Sequence, residues 1–286
     1  MQFINPRTDF AFKKIFGSAQ SKPILLSFLN AVLHDERPVI ADLEIIDPYL
    51  APKIQGMKAS YVDVRAHLHD GRSVIIEMQV LNRDGFEKRI LYNAAKAYST
   101  QLDTGEDYTQ LNAVLALTIT DFVMFPEHTE VQSAYVLKEK ERLTDYPEGD
   151  LELVFVELPK FTKPLEELAG VKEQWFYFLR HAPDLKMIPA ALEHVPALRA
   201  AFAIANAVNL TQAELLIQEQ MLDFMNTPRL AVQRAAREGE AKGFELGARA
   251  KALAIARQML GRMTDQEIAA ITGLPLADVA ALRAEE

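Results

Sequence analysis

Residues 61 to 80 read YVDVRAHLHDGRSVIIEMQV, and they carry the strongest structural signal in the chain. Two runs of alternating apolar residues flank His69-Asp70-Gly71, a pattern typical of a β-hairpin. A two-residue Asp70-Gly71 turn would mix polar and apolar residues on both faces of the hairpin. A three-residue loop with Gly71 in the left-handed conformation gives one fully apolar face. The pairs on that face are Val62 with Met78, Val64 with Ile76, and Ala66 with Val74.

The same register sets two acidic residues opposite each other on the second face. Asp63 faces Glu77, and directly opposed residues have Cβ atoms only ~4.5 to 5.5 Å apart. Such carboxylates repel unless a cation lies between them or one is protonated. Hard oxygen ligands favour Mg²⁺, with Mn²⁺ or Ca²⁺ as alternatives. Gln79 shares the face of Glu77 and can orient a water molecule or a phosphate oxygen.

A second interpretation of the hairpin requires no metal. In that interpretation Asp63 and Glu77 are solvated residues on the exposed face of an ordinary amphipathic hairpin. Ile75 argues against it, because this apolar residue lies on the acidic face. The preceding strand, predicted over Val39 to Ile46, adds Glu44 as a further candidate metal ligand.

The segments around the hairpin alternate between helix and strand patterns. Thr8 is a predicted N-cap, apolar residues follow at helical spacing as far as Phe16, and Gly17 is a stop signal. Further helices are predicted over Pro23 to Leu33 and Arg89 to Leu102, and strands over Val39 to Ile46, Tyr61 to Leu68, Ser73 to Val80, Leu111 to Ile119, Val131 to Leu137 and Leu151 to Leu158. The last three strands are apolar enough to be buried. The pattern predicts an α/β fold, a mixed sheet flanked by helices.

No strand pattern follows residue 165. Helices are predicted over Trp175 to Arg180, Ala190 to Val208 and Thr211 to Met225. We therefore predict a first domain over residues 1 to 165, a helical region over 166 to 230 and a helical tail over 231 to 286.

The end of the tail has the pattern of a helix-turn-helix. Thr264-Asp265-Gln266-Glu267 has the form of a capping box, and a helix, a Gly273 turn and a second helix follow. The second helix offers only Arg283 as a base-contacting cation, and the tail is neutral. These features favour a packing or self-association module over tight operator binding.

The composition restricts the possible chemistry. The chain has 286 residues, of which 49% are hydrophobic, and no cysteine, so disulfides, thiolate metal sites and cysteine nucleophiles are excluded. No apolar run approaches the ~20 residues of a membrane-spanning helix, and the first residues do not form a secretory signal, so we expect a cytoplasmic protein without a membrane partner. Six histidines without repeated spacing do not predict a zinc site. No Gly-rich phosphate loop or serine hydrolase motif is present, and we expect no small-molecule cofactor.

The charge is unusual for a nucleic-acid binder. The net charge is −9, and residues 1 to 160 hold 17 Lys and Arg against 24 Asp and Glu. Phosphate contacts normally come from clustered Lys and Arg. A nucleic-acid function would therefore depend on a local cleft and a bound metal.

The opening residues 5 to 17, NPRTDFAFKKIFG, the Asp63 to Gln79 hairpin and the Arg89 to Gln101 helix together resemble the recombination-promoting nuclease/putative transposase family of the PD-(D/E)XK nuclease superfamily. The resemblance covers roughly residues 1 to 160. It implies a restriction-endonuclease-like core, Mg²⁺- or Ca²⁺-dependent DNA cleavage, and a role in DNA recombination or mobile elements.

The resemblance also assigns roles to residues. Asp63, Glu77 and the carbonyl of Met78 would hold the metal, and Asp63, Glu77 and Gln79 would be catalytic. The superfamily has a lysine where this chain has Gln79, which leaves the role of that positive charge to another residue. Lysines that could take this role are Lys13 and Lys14 on the first helix and Lys96 on the helix after the hairpin, and possible supporting acids are Asp9 and Glu44.

Two other classes of protein stay open at this stage. One is a nuclease-fold protein whose site has decayed at Gln79 and that serves as a DNA-binding or protein-interaction module. The other is a carboxylate-pair hydrolase such as a glycosidase. A homodimer is expected for the endonuclease, because cutting both strands needs two sites.

Overall fold

The computed structural model describes residues 2 to 51, 58 to 147 and 149 to 284, without the side chains of residues 228 to 242, 244 to 246, 248 and 249. The chain divides into two compact units, Met1–Met225 and Asn226–Glu286. The boundary predicted near residue 165 falls inside the first unit. The predicted start of the tail at residue 231 lies close to the start of the second.

The first unit contains eight strands and six complete helices among its described residues, and a seventh helix begins in it. The strands are β1 (Leu43–Ile46), β2 (Tyr49–Leu50), β3 (Ser60–Tyr61), β4 (Val64–Leu68), β5 (Ser73–Gln79), β6 (Val114–Thr120), β7 (Gln132–Val136) and β8 (Leu151–Glu157). The helices are α1 (Asp9–Phe16), α2 (Lys22–His34), α3 (Phe86–Ser99), α4 (Val171–His181), α5 (Ala190–Glu193), α6 (Pro196–Ala205) and the start of α7 (Gln212–Met259).

Six strands form one mixed sheet in the order β1-β4-β5-β6-β8-β7, and β2 and β3 form a separate two-stranded ribbon. The strand pairs β5–β6 and β6–β8 are parallel, and the remaining pairs of the large sheet are antiparallel. The alternating apolar residues of the strands divide between two layers of core. Helices α1, α2, α4 and α6 contribute to the larger layer, and α3 contributes to the smaller one. The predicted α/β class, a mixed sheet flanked by helices, is confirmed.

Helix α4 packs on the same core as α1 and α2. The rings of Phe16 and Phe28 lie with their centres 5.0 Å apart, and the Trp175 ring lies 5.7 and 5.6 Å from them. Buried aromatic contacts of this kind add to the stabilisation that area burial provides. The helices after residue 165 therefore complete the core of the sheet domain.

The register predicted for the hairpin is confirmed over its inner part. Val64 pairs with Ile76 and Ala66 pairs with Val74. Gly71 has φ +90°, and its N–H donates to the Leu68 carbonyl at 3.0 Å across a three-residue loop. Glycine adopts this left-handed conformation without the steric penalty that a Cβ brings.

The pairing predicted between Val62 and Met78 is wrong. The Val62 N–H donates to the Pro48 carbonyl at 3.2 Å, and the Val62 side chain is buried in the core layer on the α3 side. Val64 and Met78 belong to the opposite layer. The chain thus changes face at Asp63, as it does in a β-bulge, and β4 begins at residue 64 instead of residue 61.

Two further expectations about elements are corrected. Strand β7 was expected to be buried, but it lies at the edge of the sheet and pairs only with β8, so its side chains are exposed or half-buried. The helix expected over Ala190 to Val208 is interrupted, because Pro196 begins a new helix, α6. Proline is favoured in the first turn of a helix and disfavoured in its interior.

The second unit contains the rest of α7, then α8 (Asp265–Thr272) and α9 (Leu276–Ala284). Thr264 and Glu267 form both bonds of the predicted capping box, and Gly273 ends α8 in the left-handed conformation. Buried apolar residues of α7, α8 and α9 form a small core of their own. The predicted helix, turn, helix order is confirmed. Among the described residues, no helix combines the length and apolarity that crossing a membrane requires.

Candidate active site

A cavity of about 290 Å³ opens at the carboxyl end of β5. Its lining comes from α1, the bulge before β4, the end of β5, the start of α3 and α7. The charged and amide side chains in it that concern the chemistry are Asp9, Lys13, Asp63, Glu77, Gln79 and Arg89. The carboxyl ends of parallel strands are a common position for ligand sites in α/β proteins, and β5 and β6 are parallel here.

Asp63 lies just beyond the hairpin ladder instead of pairing directly with Glu77. Its N–H donates to the Ile76 carbonyl at 3.0 Å, and its Oδ2 accepts the Met78 N–H at 2.7 Å. The carboxylate therefore takes the place that a backbone carbonyl would have in a regular ladder. The bulge turns the Asp63 side chain toward α1, where Lys13 Nζ lies 3.5 Å from its Oδ1.

The carboxyl groups of Asp63 and Asp9 titrate as a pair. Burial and, after it, the hydrogen bond with Asp9 raise the pKa of Asp63 to about 7, although the Met78 N–H and the charge of Lys13 act to lower it. Burial also acts to raise the pKa of Asp9, but the hydrogen bond from Asp63 and the ammonium of Lys13, 2.7 Å away, hold it below its usual value. As the pH falls below about 7 the pair takes up one proton, and Asp63 then donates to Asp9.

Glu77 is held from the opposite layer of the protein. Its side chain points to α3, where Arg89 Nη2 donates to Oε2 at 3.0 Å and Asn93 Nδ2 donates to Oε1 at 2.6 Å. Glu77 is 7% exposed. A buried carboxylate without a partner would strongly destabilise the fold, so these two donors offset the cost of burying Glu77.

Gln79 has a fixed orientation at the cavity wall. Its Nε2 donates to the Leu81 carbonyl at 2.9 Å, and its Oε1 accepts Arg89 Nη2 at 2.8 Å. The same guanidinium nitrogen therefore bonds Glu77 and Gln79. Asp63, Glu77, Met78 and Gln79, the residues that the sequence suggested for a metal site, all line this cavity.

The cavity carries more positive charge than the whole chain would suggest. Arg7, Lys13, Arg83 and Arg89 line it, against the acidic residues Asp9, Asp63 and Glu77. Arg7 is fixed by Asp121, 3.0 Å away, at the end of the neighbouring strand β6. The net charge of −9 led us to expect too few positive side chains for binding phosphate, but in the cavity the positive side chains outnumber the acidic ones.

The first turns of α7 form an apolar wall of the cavity. Met221, Phe224 and Met225 line it, and the Arg83 guanidinium lies 5.6 Å from the centre of the Phe224 ring. Gln218 Oε1 accepts the buried hydroxyl of Thr8 at 2.9 Å, which ties this helix to the start of α1. Phe224 is 53% exposed and available to a ligand in the cavity.

Three of the residues expected to support the site lie elsewhere. Glu44 pairs with His67 across the β1–β4 ladder and lines a separate groove of about 520 Å³. Lys14 pairs with Glu214 at the start of α7 and does not line the cavity. Lys96 was expected to be a surface lysine with a possible site role, but it is 2% exposed.

The Lys96 ammonium stabilises the backbone near the β2–β3 ribbon. It donates to the carbonyls of Leu50 and Lys58 at 2.6 and 2.7 Å. Burial lowers the pKa of Lys96. Its contacts thus give it a structural role, and Lys13 is the lysine of the predicted set that lines the cavity.

Sequence reasoning missed Arg7, Arg83, Arg89 and Asn93. Arg89 and Asn93 are four residues apart on α3, so they lie on one helical face, and that face packs on the sheet. Two polar residues at this spacing on an otherwise apolar helical face are the sequence signal that could have identified Arg89 and Asn93 as site residues.

The donor chemistry of the cavity fits a hard divalent cation. The carboxylates of Asp9, Asp63 and Glu77 would supply oxygen ligands to such an ion. Burial and the neighbouring Asp9 raise the pKa of Asp63, and a divalent cation would replace the proton that Asp63 carries below that pKa. Asn93 Oδ1, next to Glu77, is buried without a hydrogen-bond partner among the described residues. Within that same part of the chain, no group of three or more His, Asp or Glu residues is already arranged around a metal position.

A mixed sheet between two helical layers, with an acidic pair at the end of its central hairpin, is the arrangement of restriction-endonuclease-like proteins. The sequence model of one protein family, the PD-(D/E)XK nuclease family transposase, matches residues 6–231. The chain therefore belongs to this family. The predicted resemblance is confirmed, and the family supports a nuclease- and transposase-associated function. Comparison with curated proteins and with solved structures gave no match.

Proposed function

We propose that the protein is a metal-dependent DNA endonuclease that hydrolyses phosphodiester bonds and acts in DNA recombination or on mobile elements. The observation that carries the proposal is the meeting of Asp63 and Glu77 in one cavity with four Lys and Arg side chains. The family match favours phosphodiester chemistry over the glycosidase alternative.

Separate residues would hold the metal, orient the reactants and compensate the developing charge. Asp63, Glu77 and the Met78 carbonyl would hold Mg²⁺, or Mn²⁺ or Ca²⁺ in its place. The bound ion would supply Lewis-acid polarisation of the phosphate and a water of lowered pKa. Gln79 would orient the phosphate or the water, and Lys13 would offset negative charge that develops on the phosphate oxygens.

The remaining side chains would bind the DNA. Arg7 and Arg83 would contact backbone phosphates on either side of the reacting one, which is the usual use of Arg in nucleic-acid sites. The wall formed by Met221 and Phe224 would exclude water from the cavity and offer a ring face to a base.

A plasmid-nicking assay tests the function. Supercoiled DNA is incubated with the wild-type protein in Mg²⁺, Mn²⁺ or Ca²⁺ and in chelator, beside Asp63→Asn, Glu77→Gln and the matched control Glu44→Gln, whose carboxylate lies outside the cavity. We expect nicking only with metal, a loss of about 100-fold or more in the two site variants, and no loss in the control. Cleavage in chelator, or full activity of Asp63→Asn, would contradict the proposal.

A second function is favoured by one specific observation. Both oxygens of Glu77 are already bonded by Arg89 and Asn93, which is compatible with a nuclease fold that binds DNA without cutting it. Retention of DNA without cleavage in any of the three metals would select this binding module.

The active form is proposed to be a homodimer. Two sites are needed to cut both strands in one encounter, and the helical second unit offers a surface for self-association. Linear product that appears together with nicked product, and a sedimentation mass of two chains, would support the dimer. A monomer that produces linear DNA only after nicked DNA has accumulated would contradict it.

A further inference from the structure

Arg89 is the cationic side chain bonded to Glu77. It projects from the first turn of α3, with its guanidinium carbon 5.0 Å from the centre of the Phe86 ring. A single nitrogen, Nη2, makes the bonds to both Glu77 and Gln79. The side chain is 46% exposed, and among the described residues its Nε and Nη1 donate to nothing. A guanidinium has five N–H donors, so those on Nε and Nη1 remain for a ligand.

Gln79 determines which way Arg89 can point. The Gln79 amide nitrogen is bonded to the Leu81 carbonyl, so only its oxygen can face Arg89. A lysine at position 79 would set an ammonium against the guanidinium, and the two like charges would repel. Gln79 and Arg89 are therefore complementary, and the positive charge absent from position 79 is supplied by Arg89.

A divalent cation at Glu77 would compete with Arg89. Glu77 is buried and needs a positive partner, and Asn93 already bonds its other oxygen. A cation bound at Oε2 would make the bond from Arg89 unnecessary. Release from Glu77 would leave the guanidinium bonded to Gln79 Oε1, 2.8 Å away.

We propose that Arg89 is the resident counter-ion of Glu77, that a divalent cation displaces it, and that the displaced guanidinium, still bonded to Gln79, binds a phosphate oxygen of the substrate. This inference rests on the proposed nuclease function and adds to it a residue for phosphate binding. It also accounts for the finding that no metal position is already formed in the described chain. Lys13 and Arg89 already pair with one carboxylate oxygen each of Asp63 and Glu77.

The test measures metal binding and DNA binding separately from cleavage. Mg²⁺ and Mn²⁺ are titrated by calorimetry into wild type, Arg89→Gln and Arg89→Lys. The binding of a fluorescent DNA duplex is measured by anisotropy in Ca²⁺ and in chelator, over a series of salt concentrations. Arg72→Gln is the matched control, because Arg72 pairs with Asp70 in the hairpin loop, away from the cavity.

Arg89→Gln is expected to change the two affinities in opposite directions. Loss of the competitor should tighten metal binding by about threefold to tenfold, in line with one charge-assisted hydrogen bond. Loss of the phosphate contact should weaken DNA binding in Ca²⁺ by about tenfold. It should also lower, by about 1, the steepness with which the logarithm of DNA affinity falls with the logarithm of salt concentration. Arg89→Lys should fall between wild type and Arg89→Gln, and Arg72→Gln should match wild type in metal affinity.

If Arg89→Gln folds poorly, Arg89→Lys carries the same comparison, because it keeps a positive partner for Glu77. A further pair of variants tests the complementarity of positions 79 and 89. Gln79→Lys alone should weaken DNA binding, because the new ammonium repels Arg89. In the double variant Gln79→Lys/Arg89→Gln the same lysine should restore DNA binding. A Gln79→Lys change with the same effect in both backgrounds would overturn the inference.

The failure of this inference can be told apart from failure of the proposed function. Wild-type protein that binds neither metal nor DNA would overturn both. If wild type binds the metal and Arg89→Gln binds it with the same or a lower affinity, only the displacement is overturned. Unchanged DNA affinity in Arg89→Gln would overturn only the phosphate contact.

Discussion

Replacement of Asp63 by asparagine should stabilise the protein at alkaline pH and leave it unchanged near pH 4. The asparagine oxygen can accept the Met78 N–H as the carboxylate does, and its amide can donate to Asp9 as the protonated carboxyl does. The variant therefore copies the protonated form of Asp63 at every pH. Differences from wild type then report the ionisation of one buried group.

The sign and size of the effect follow from the pKa of Asp63, about 7 in the folded chain against 3.8 ordinarily. Between these two values the folded state holds a proton that the unfolded state has released, so wild-type stability falls as the pH rises. The penalty is absent below pH 3.8 and complete above about pH 7. At about 1.4 kcal/mol per pKa unit it reaches ~4 kcal/mol. Because Asp9 and Asp63 titrate together, we expect Asp63→Asn to recover ~2 to 4 kcal/mol.

Differential scanning calorimetry in chelator measures this effect. For a unit of this size the expected gain corresponds to a rise of about 5 to 15 °C in Tm at pH 8 and to none near pH 4. Asp42→Asn is the control, because Asp42 is exposed and its pKa is lowered by its bond to Lys22. The control should show no gain that grows between pH 4 and pH 8. An Asp63→Asn variant that is less stable than wild type at pH 8 would refute the reasoning, since it would mean that Lys13 keeps Asp63 ionised.

Three further predictions concern stability alone. Gly71→Ala should destabilise the first unit by about 1 to 3 kcal/mol, because φ is +90° and the new Cβ would lie 2.6 Å from Asn112 Oδ1; thermal unfolding checks this, and Gly71→Asn should lose less. Lys96→Met should cost about 1 to 3 kcal/mol through the two carbonyls it leaves unbonded, and denaturant titration of the far-ultraviolet circular dichroism measures the loss. Thr264→Ala should weaken α8 by about 1 kcal/mol because the capping box with Glu267 is lost; amide exchange should speed up in α8 and stay unchanged in the sheet.

The parts of the fold that local chemistry determines could be predicted from the sequence. The loop containing Gly71 and the pairing of Val64 with Ile76 follow from alternation, because a one-residue slip would bury polar side chains. The start of α1 at Thr8 and the capping box of α8 follow from single residues whose side chains bond the backbone. The edge position of β7 could not be predicted, because an apolar sequence does not reveal how many partner strands it has.

The candidate site was predicted less completely than the fold. Alternation was assumed to continue through Asp63, but its carboxylate accepts a backbone N–H and the chain changes face there. The partners that hold the two acids, Lys13 on α1 and Arg89 on α3, are brought in by packing between layers. Arg7 meets Asp121 only because strand β6 lies beside β5. Such contacts depend on tertiary arrangement, which local spacing does not encode.

The bond between Thr8 and Gln218 sets a lower limit on the length of chain that forms the cavity. A chain shortened to residue 165 would keep every strand of the sheet, yet it would lose Gln218, Trp175 and the Phe224 wall. The smallest fragment expected to retain the cavity extends to about Met225, where the first compact unit ends. Transfer of the sheet and its cavity into another protein would therefore have to include the helices that come after the sheet in the chain.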